Sequence, residues 1–347
     1  MKKLLSTLIG FFILINSYSQ IHKSASQFMQ DSILNKYIKD SSGYFINQLG
    51  NELAVYILSD SKTKEGFLLR GLQKMNLNNY NEALKDFNQS LIIDPKYSEG
   101  YYNQGIAKIK LNDNNGASSS FTKAIECNPN FDKAYYNRGT IKIKGQDYKE
   151  AAEDFQKAIE INPNFFEAYM NLGYAKGFLK NYLDSRVFFN KAIILNAKSP
   201  EAYYNLGNAE AYLGNYNIAI QNYSLAISLK SNFSAAFLNR AVVEMKLKYY
   251  ISANKDYNKA IELDAILPDG YLNRAKLKIE TGNYLNAIFD LDKAISLNPN
   301  ISNAYMLRGF ARLQINQKEL GCKDFNTTTL LDNDNEEAKK YIELYCK

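Results

Sequence analysis

Six asparagines recur at intervals of 34 residues: Asn103, Asn137, Asn171, Asn205, Asn239 and Asn273. Each is the third residue of a pentapeptide that opens on an aromatic ring, from YYNQG at Tyr101 to YLNRA at Tyr271. Asn costs roughly 0.6 kcal/mol against Ala in a helix interior, so its repetition wants a reason. Its amide carries both a donor and an acceptor. That pair complements the C=O and N–H of an extended peptide backbone. The chemistry on offer is recognition by hydrogen bonds.

Residues that usually carry catalysis are scarce. The one histidine, His22, lies close to the N-terminus. Without another there is no Ser/His/Asp or Cys/His arrangement and no His-based metal set. No Gly-rich phosphate loop occurs, and the acidic residues scatter along polar faces or pair with Arg. We expect no enzyme activity, no cofactor and no metal. The net charge is +6, of which Lys2 and Lys3 supply two. So mild a charge does not argue for nucleic acid or an anionic membrane as partner.

The first twenty residues read MKKLLSTLIGFFILINSYSQ. A basic start, an apolar run from Leu4 to Ile15 and small residues at Ser17 and Ser19 describe a secretory signal peptide over residues 1–19, cut before Gln20. The run falls short of the ~20 residues that span a bilayer, and no later stretch could span one. No Cys stands at the cut for a lipid anchor. The expected location is periplasmic or secreted.

The elements that must position the asparagines follow from the period, since a fixed period signals a repeat architecture. A frame begun at Lys64 gives eight windows of 34 residues, ending at Asn335. Position 8 holds Gly71, Gly105, Gly139, Gly173, Gly207, Ala241, Ala275 and Gly309. Position 20 is equally small, position 24 is aromatic in all but Leu291, and position 32 is Pro at Pro95, Pro129, Pro163 and Pro299. Small residues let two antiparallel helices approach. Bulky positions 4, 11 and 24 fill the space around them, and Pro ends the second helix. One hairpin cannot bury its apolar face alone, so neighbours must stack.

Positions 7 and 23 vary together. Arg70, Arg138, Arg240, Arg274 and Arg308 accompany Asp86, Asp154, Asp256, Asp290 and Asp324. In the other three windows both are lost: Gln104 with Ser120, Leu172 with Phe188, Leu206 with Asn222. The two positions are symmetric about the turn, which predicts five structural Arg–Asp pairs across the hairpins rather than a basic stripe.

The sequence closely resembles the tetratricopeptide repeat family, of secreted bacterial type; YYNRGTIKIKGQDYKEAAEDFQKAIEINPN (Tyr135–Asn164) is nearly a consensus copy. The resemblance covers residues 64–335. It implies an all-α, right-handed superhelix of eight hairpins, with a concave groove lined by the first helix of each repeat. Residues 20–63 read as an N-terminal helical cap or degenerate repeat, with Ile33, Tyr37, Leu49 and Leu53 in phase. Residues 336–347 read as a C-terminal capping helix.

The family places positions 2, 6, 9 and 13 on the groove. The Asn row at position 6 would form a ladder there, with no partner in its own hairpin. Tyr102, Tyr136 and Tyr204 at position 5, Tyr174 at position 9, and Phe178 and Tyr212 at position 13 would supply aromatic contacts. Groove charges are mixed, with Glu99, Glu167, Glu201 and Asp269 against Lys110, Lys133, Lys144 and Lys246. The clamp that some relatives use for a C-terminal carboxylate needs Lys at position 5, and none stands there. Cys322 and Cys346 fall where helices approach in this fold and resemble the paired terminal cysteines of secreted repeat proteins, so a disulfide is expected. Whether Cys127 stays free is open.

The function this implies is a non-catalytic scaffold that holds extended segments of partner proteins in its groove. A glycan- or cell-wall-binding envelope protein and a self-associating structural subunit are the alternatives. The partner, the pathway and the oligomeric state are not legible.

Overall fold

The structure, a computed structural model, describes residues 62–346. The expected leader at 1–19 and the segment 20–61 lie outside them. The described residues divide into two compact units, one ending at Pro129 and the other beginning at Asn130. Among the described residues there are seventeen helices and no strand.

In the first unit α1 (Lys64–Asn76) pairs with α2 (Tyr80–Ile93), and α3 (Ser98–Lys110) with α4 (Asn114–Cys127). The α2 helix also packs on α3. Leu68, Ala83, Phe87 and Ala107 form the buried centre. Cys127 carries a free, half-buried thiol, and burial pushes its pKa up.

The second unit repeats the same hairpin. It runs α5 (Asp132–Lys144), α6 (Tyr148–Ile161), α7 (Phe166–Phe178), α8 (Tyr182–Leu195), α9 (Pro200–Tyr212) and α10 (Tyr216–Leu229). It continues with α11 (Ser234–Lys246), α12 (Tyr250–Leu263), α13 (Pro268–Glu280), α14 (Tyr284–Leu297), α15 (Ser302–Gln314), α16 (Lys318–Leu331) and α17 (Glu336–Tyr345). Each second helix packs on the first helix of the next pair, so no hairpin's apolar face is left alone.

Position 15, the centre of each intra-hairpin turn, has positive φ in every repeat, from 59° at Asn78 to 80° at Gly214. This left-handed residue lets the last carbonyls of the first helix be satisfied. Gly214 N donates to Ala211 O at 3.2 Å, and Asn215 N donates to Glu210 O at 2.9 Å. The small residue at position 8 is explained at Gly207. A Cβ there would lie 2.7 Å from Cε1 of Tyr223, the buried ring at position 24.

All five Arg–Asp pairs form. Arg138, for example, donates from Nε and Nη2 to the two carboxylate oxygens of Asp154, at 3.0 and 2.7 Å. Position 11 contributes more than the bulk expected of it. In four of these repeats a cation there reaches the same Asp: Lys74 to Asp86, Lys142 to Asp154, Lys278 to Asp290 and Arg312 to Asp324. Some Arg residues also tie one hairpin to the previous one, as Arg240 to Ser224 and Arg308 to Asp292.

The last hairpin is covered by α17, whose Ala338, Tyr341 and Ile342 pack on Met306 and Phe325. Tyr341 stacks on Phe325 at 5.0 Å. Cys322 and Cys346 are joined by a disulfide.

Candidate partner-binding groove

The singled-out side chains divide into two groups by what they touch. The position-5 tyrosines are packing residues rather than exposed groove aromatics. In the first unit Tyr102 is half-buried against Phe121, with ring centroids 5.7 Å apart. In the second, Tyr136 lies between Phe155 and Phe165, and Tyr204 between Tyr223 and Phe233. Burial raises the pKa of Tyr136.

The Asn row is not without partners either, which corrects the expectation. Asn103 and Asn137 donate from Nδ2 to the carbonyls four residues back, Glu99 and Lys133. Asn171 donates to the hydroxyl of Tyr136 at 3.4 Å, and Asn239 to that of Tyr204 at 3.0 Å. Asn239 also donates to Asn208 Oδ1 at 2.9 Å. Asn273 accepts from Lys276 at 3.5 Å. Tyr136 and Tyr204 at position 5 thus each supply a partner for the asparagine of the following repeat. The side chain of Asn205 alone in the row makes no hydrogen bond to another described residue.

Asn205 opens onto a cavity of about 350 Å³ between α7, the start of α8, and α9. Tyr174, Phe178, Tyr182, Tyr212 and Asn208 also line it. Tyr174, Phe178 and Tyr212 are 41, 51 and 70 % exposed. Helix spacing sets two of these contacts. Tyr174 and Phe178 are four residues apart on α7, which places them on one face, and their rings meet at 4.6 Å. Tyr212 stacks on Tyr182 of the previous hairpin at 4.5 Å. Phe178 stacks in the same way on Tyr148, at 4.5 Å and 15°. One repeat further on, Lys246 sits over Tyr216 at 5.3 Å as a cation–π pair.

The cavity has a cause in the sequence. Position 12 holds Met75, Ile109, Ile143, Met245, Ile279 and Leu313 in six repeats, but Gly177 and Ala211 in the fourth and fifth. Where it is large it packs against the buried centre, as Ile143, Met245 and Ile279 do. Where it is Gly177 the space is left open. A Cβ there would meet only Ser185 Oγ, at 3.5 Å. Gly177, the position-17 tyrosines and the position-11 cations are not among the residues singled out from the sequence. Comparing the windows at those positions exposes all three.

The arrangement offers flat aromatic faces, an apolar recess and one uncommitted amide. Among the described residues no cluster of three or more His, Cys, Asp or Glu is placed to hold a metal. No described helix is long and apolar enough to cross a membrane.

Sequence comparison finds tetratricopeptide repeats at residues 98–131, 132–165, 166–199, 200–233 and 268–301. No curated protein matches the chain. Several solved structures are similar. A chain of the APC/C hetero-tetramer Cut9–Hcn1 aligns with TM-score 0.57 at 15 % identity, covering 85 % of this chain. This chain spans 59 % of that one. A tetratricopeptide repeat protein from Parabacteroides merdae aligns with TM-score 0.57 at 22 % identity, over 72 % of this chain and 99 % of that one. The pilF protein of Pseudomonas aeruginosa aligns with TM-score 0.52 at 17 % identity, over 62 % of this chain and 97 % of that one. At these identities the likeness speaks for the fold alone: an all-α stack of tetratricopeptide hairpins.

Proposed function

We propose that this stack of tetratricopeptide repeats is a non-catalytic scaffold outside the cytoplasm, and that it binds an extended segment of a partner protein across α7 and α9. The observation that carries the reading is the recess at Gly177. Six sister repeats plug it with Ile, Met or Leu, and this one leaves it open beneath exposed Tyr and Phe rings. A glycine inside a helix costs about 1 kcal/mol relative to Ala, so a filled position would be the default if stability were the only demand. An apolar side chain of the bound segment would enter the recess. Asn205 would hold the adjacent backbone, and Tyr212 and Phe178 would flank it. The hydrophobic, weakly basic leader at residues 1–19 supports export. The tetratricopeptide repeats support protein–protein interaction as the general role.

Selection from a random peptide library, run on the wild type and on Gly177→Met, tests the groove. Peptides with one apolar residue at a fixed place should enrich on the wild type and fail on the variant. Enrichment on both alike would sink the assignment to this recess. Selective retention on polysaccharide instead of peptide would favour the glycan reading.

A further inference from the structure

A separate cleft lies in the sixth repeat, lined by other residues than the recess. Four repeats share a triad in which two cations hold one buried carboxylate. Asp154 binds Arg138 and Lys142 at 2.7 and 3.0 Å, and Asp290 binds Arg274 and Lys278 at 2.6 and 2.7 Å. Asp86 and Asp324 are held in the same way. In the sixth repeat Arg240 and Asp256 are paired as usual, at 2.6 and 2.9 Å. The position of the second cation is instead Glu244. The sister triads carry one net positive charge and this one carries one net negative charge.

Glu244 is only 7 % exposed, and its Oε2 has no hydrogen-bond partner. A buried carboxylate oxygen without a donor is costly. Burial, followed by the nearby Asp256 carboxylate, raises its pKa against the opposing pull of Arg240 and of the Ser252 hydroxyl, which also lines the cleft. Glu244 lines a cleft of about 780 Å³ between α10, α11 and α12, together with Arg240, Asp256, Phe237 and Ser224. The other charges on the cleft are Lys255, Lys259 and Glu262. Lys259 and Glu262 pair with each other at 2.6 Å. Lys255 is exposed, and among the described residues it makes no ion pair with Glu244.

We propose that this cleft binds a primary ammonium group, which seats on Glu244 in the place that Lys74, Lys142, Lys278 and Arg312 fill from within their own repeats. The ammonium supplies the missing donor to Oε2 and brings the local charge toward that of the sister triads. A compact ion with three donors and a slim alkyl stem suits a cleft flanked by Phe237. The ammonium could be the end of a partner's lysine side chain or a free alkylamine, and both present the same group.

The test measures thermal stability of the full chain in rising cadaverine, and separately in N-acetyl-lysine methylamide, each against potassium chloride of equal ionic strength. The melting temperature of the wild type should rise with the amine beyond the salt control. In Glu244→Gln the half-saturating concentration should rise at least tenfold. In Glu244→Lys, which rebuilds the sister triad, the basal melting temperature should rise and the response to amine should vanish. A response from the lysine derivative but not cadaverine would indicate a protein lysine as the source, and the reverse would indicate a free amine. An equal response in wild type and Glu244→Gln, or none in the wild type, would overturn the proposal. Glu244→Gln keeps the side chain's size, so the test stands even if Glu244→Lys does not fold.

Discussion

Tyr182 and Tyr212 stack with ring centroids 4.5 Å apart and planes within 4° of each other, although they belong to neighbouring hairpins. Tyr182 is half-buried while Tyr212 is 70 % exposed. The inner ring is therefore a platform and the outer ring is the more exposed of the two, the one that the proposed peptide segment would meet. Aromatic pairs contribute about 0.5–1.5 kcal/mol beyond burial. Tyr212→Ala should lower stability by about 1 kcal/mol or less in urea titration. Titration of a selected peptide should show at least a tenfold weaker affinity, about 1.4 kcal/mol. Unchanged affinity would place the ligand elsewhere.

The recess beside that stack predicts a gain of stability at the expense of binding. Gly177 sits in the last turn of α7, where a Cβ meets nothing closer than Ser185 Oγ at 3.5 Å. Gly177→Met should add about 1 kcal/mol through helix propensity, plus the burial of a thioether where Met245 already packs in the sixth repeat. Chemical denaturation should show a higher midpoint while peptide binding is lost. A variant less stable than the wild type would mean that the recess is narrower than its volume suggests.

Asp154 tests the triads. It is buried, and Arg138 and Lys142 are both mostly covered. Removing one member of a buried pair leaves uncompensated charge and costs about 3–5 kcal/mol. Asp154→Ala should therefore lose about 3 kcal/mol in urea titration. The double variant Arg138→Leu/Asp154→Phe copies Leu172 and Phe188 of the fourth repeat. It should recover most of that loss. If the single and double variants were equally unstable, the triad would not be acting as a unit.

The hairpin period, the Arg–Asp pairs and the terminal disulfide were legible because each is a pattern within one repeat or one fold-wide rule. Position 15 was less so. Gly214 and Gly282 announce their left-handed turns, but Gln146, Lys180 and Lys248 adopt the same φ without the residue type that usually signals it. There the stacking of flanking helices overrides local preference. The partners of the Asn row were misread for a geometric reason. A helical wheel drawn on one hairpin turns position 6 away from that hairpin, and it cannot show the tyrosine arriving from the previous repeat. The cations at position 11 were missed because a lysine at a bulky packing position reads as an alkyl stem, while its ammonium reaches past the core.

Asn205 and Asn239 separate what the row does for the fold from what it offers a ligand. Asn239 spends its amide on the Tyr204 hydroxyl and Asn208 Oδ1. A net hydrogen bond contributes about 0.5–1.5 kcal/mol, so Asn239→Ala should cost about 1–2 kcal/mol in denaturant titration. It should leave peptide affinity within twofold. Asn205 makes no such bonds among the described residues and lines the recess. Asn205→Ala should be neutral in the same titration, or slightly stabilising because Ala is the better helix former. It should also weaken the selected peptide several-fold. The opposite pattern, a stability loss at Asn205 with binding intact, would make this amide structural like the others and leave the aromatic recess as the whole of the contact.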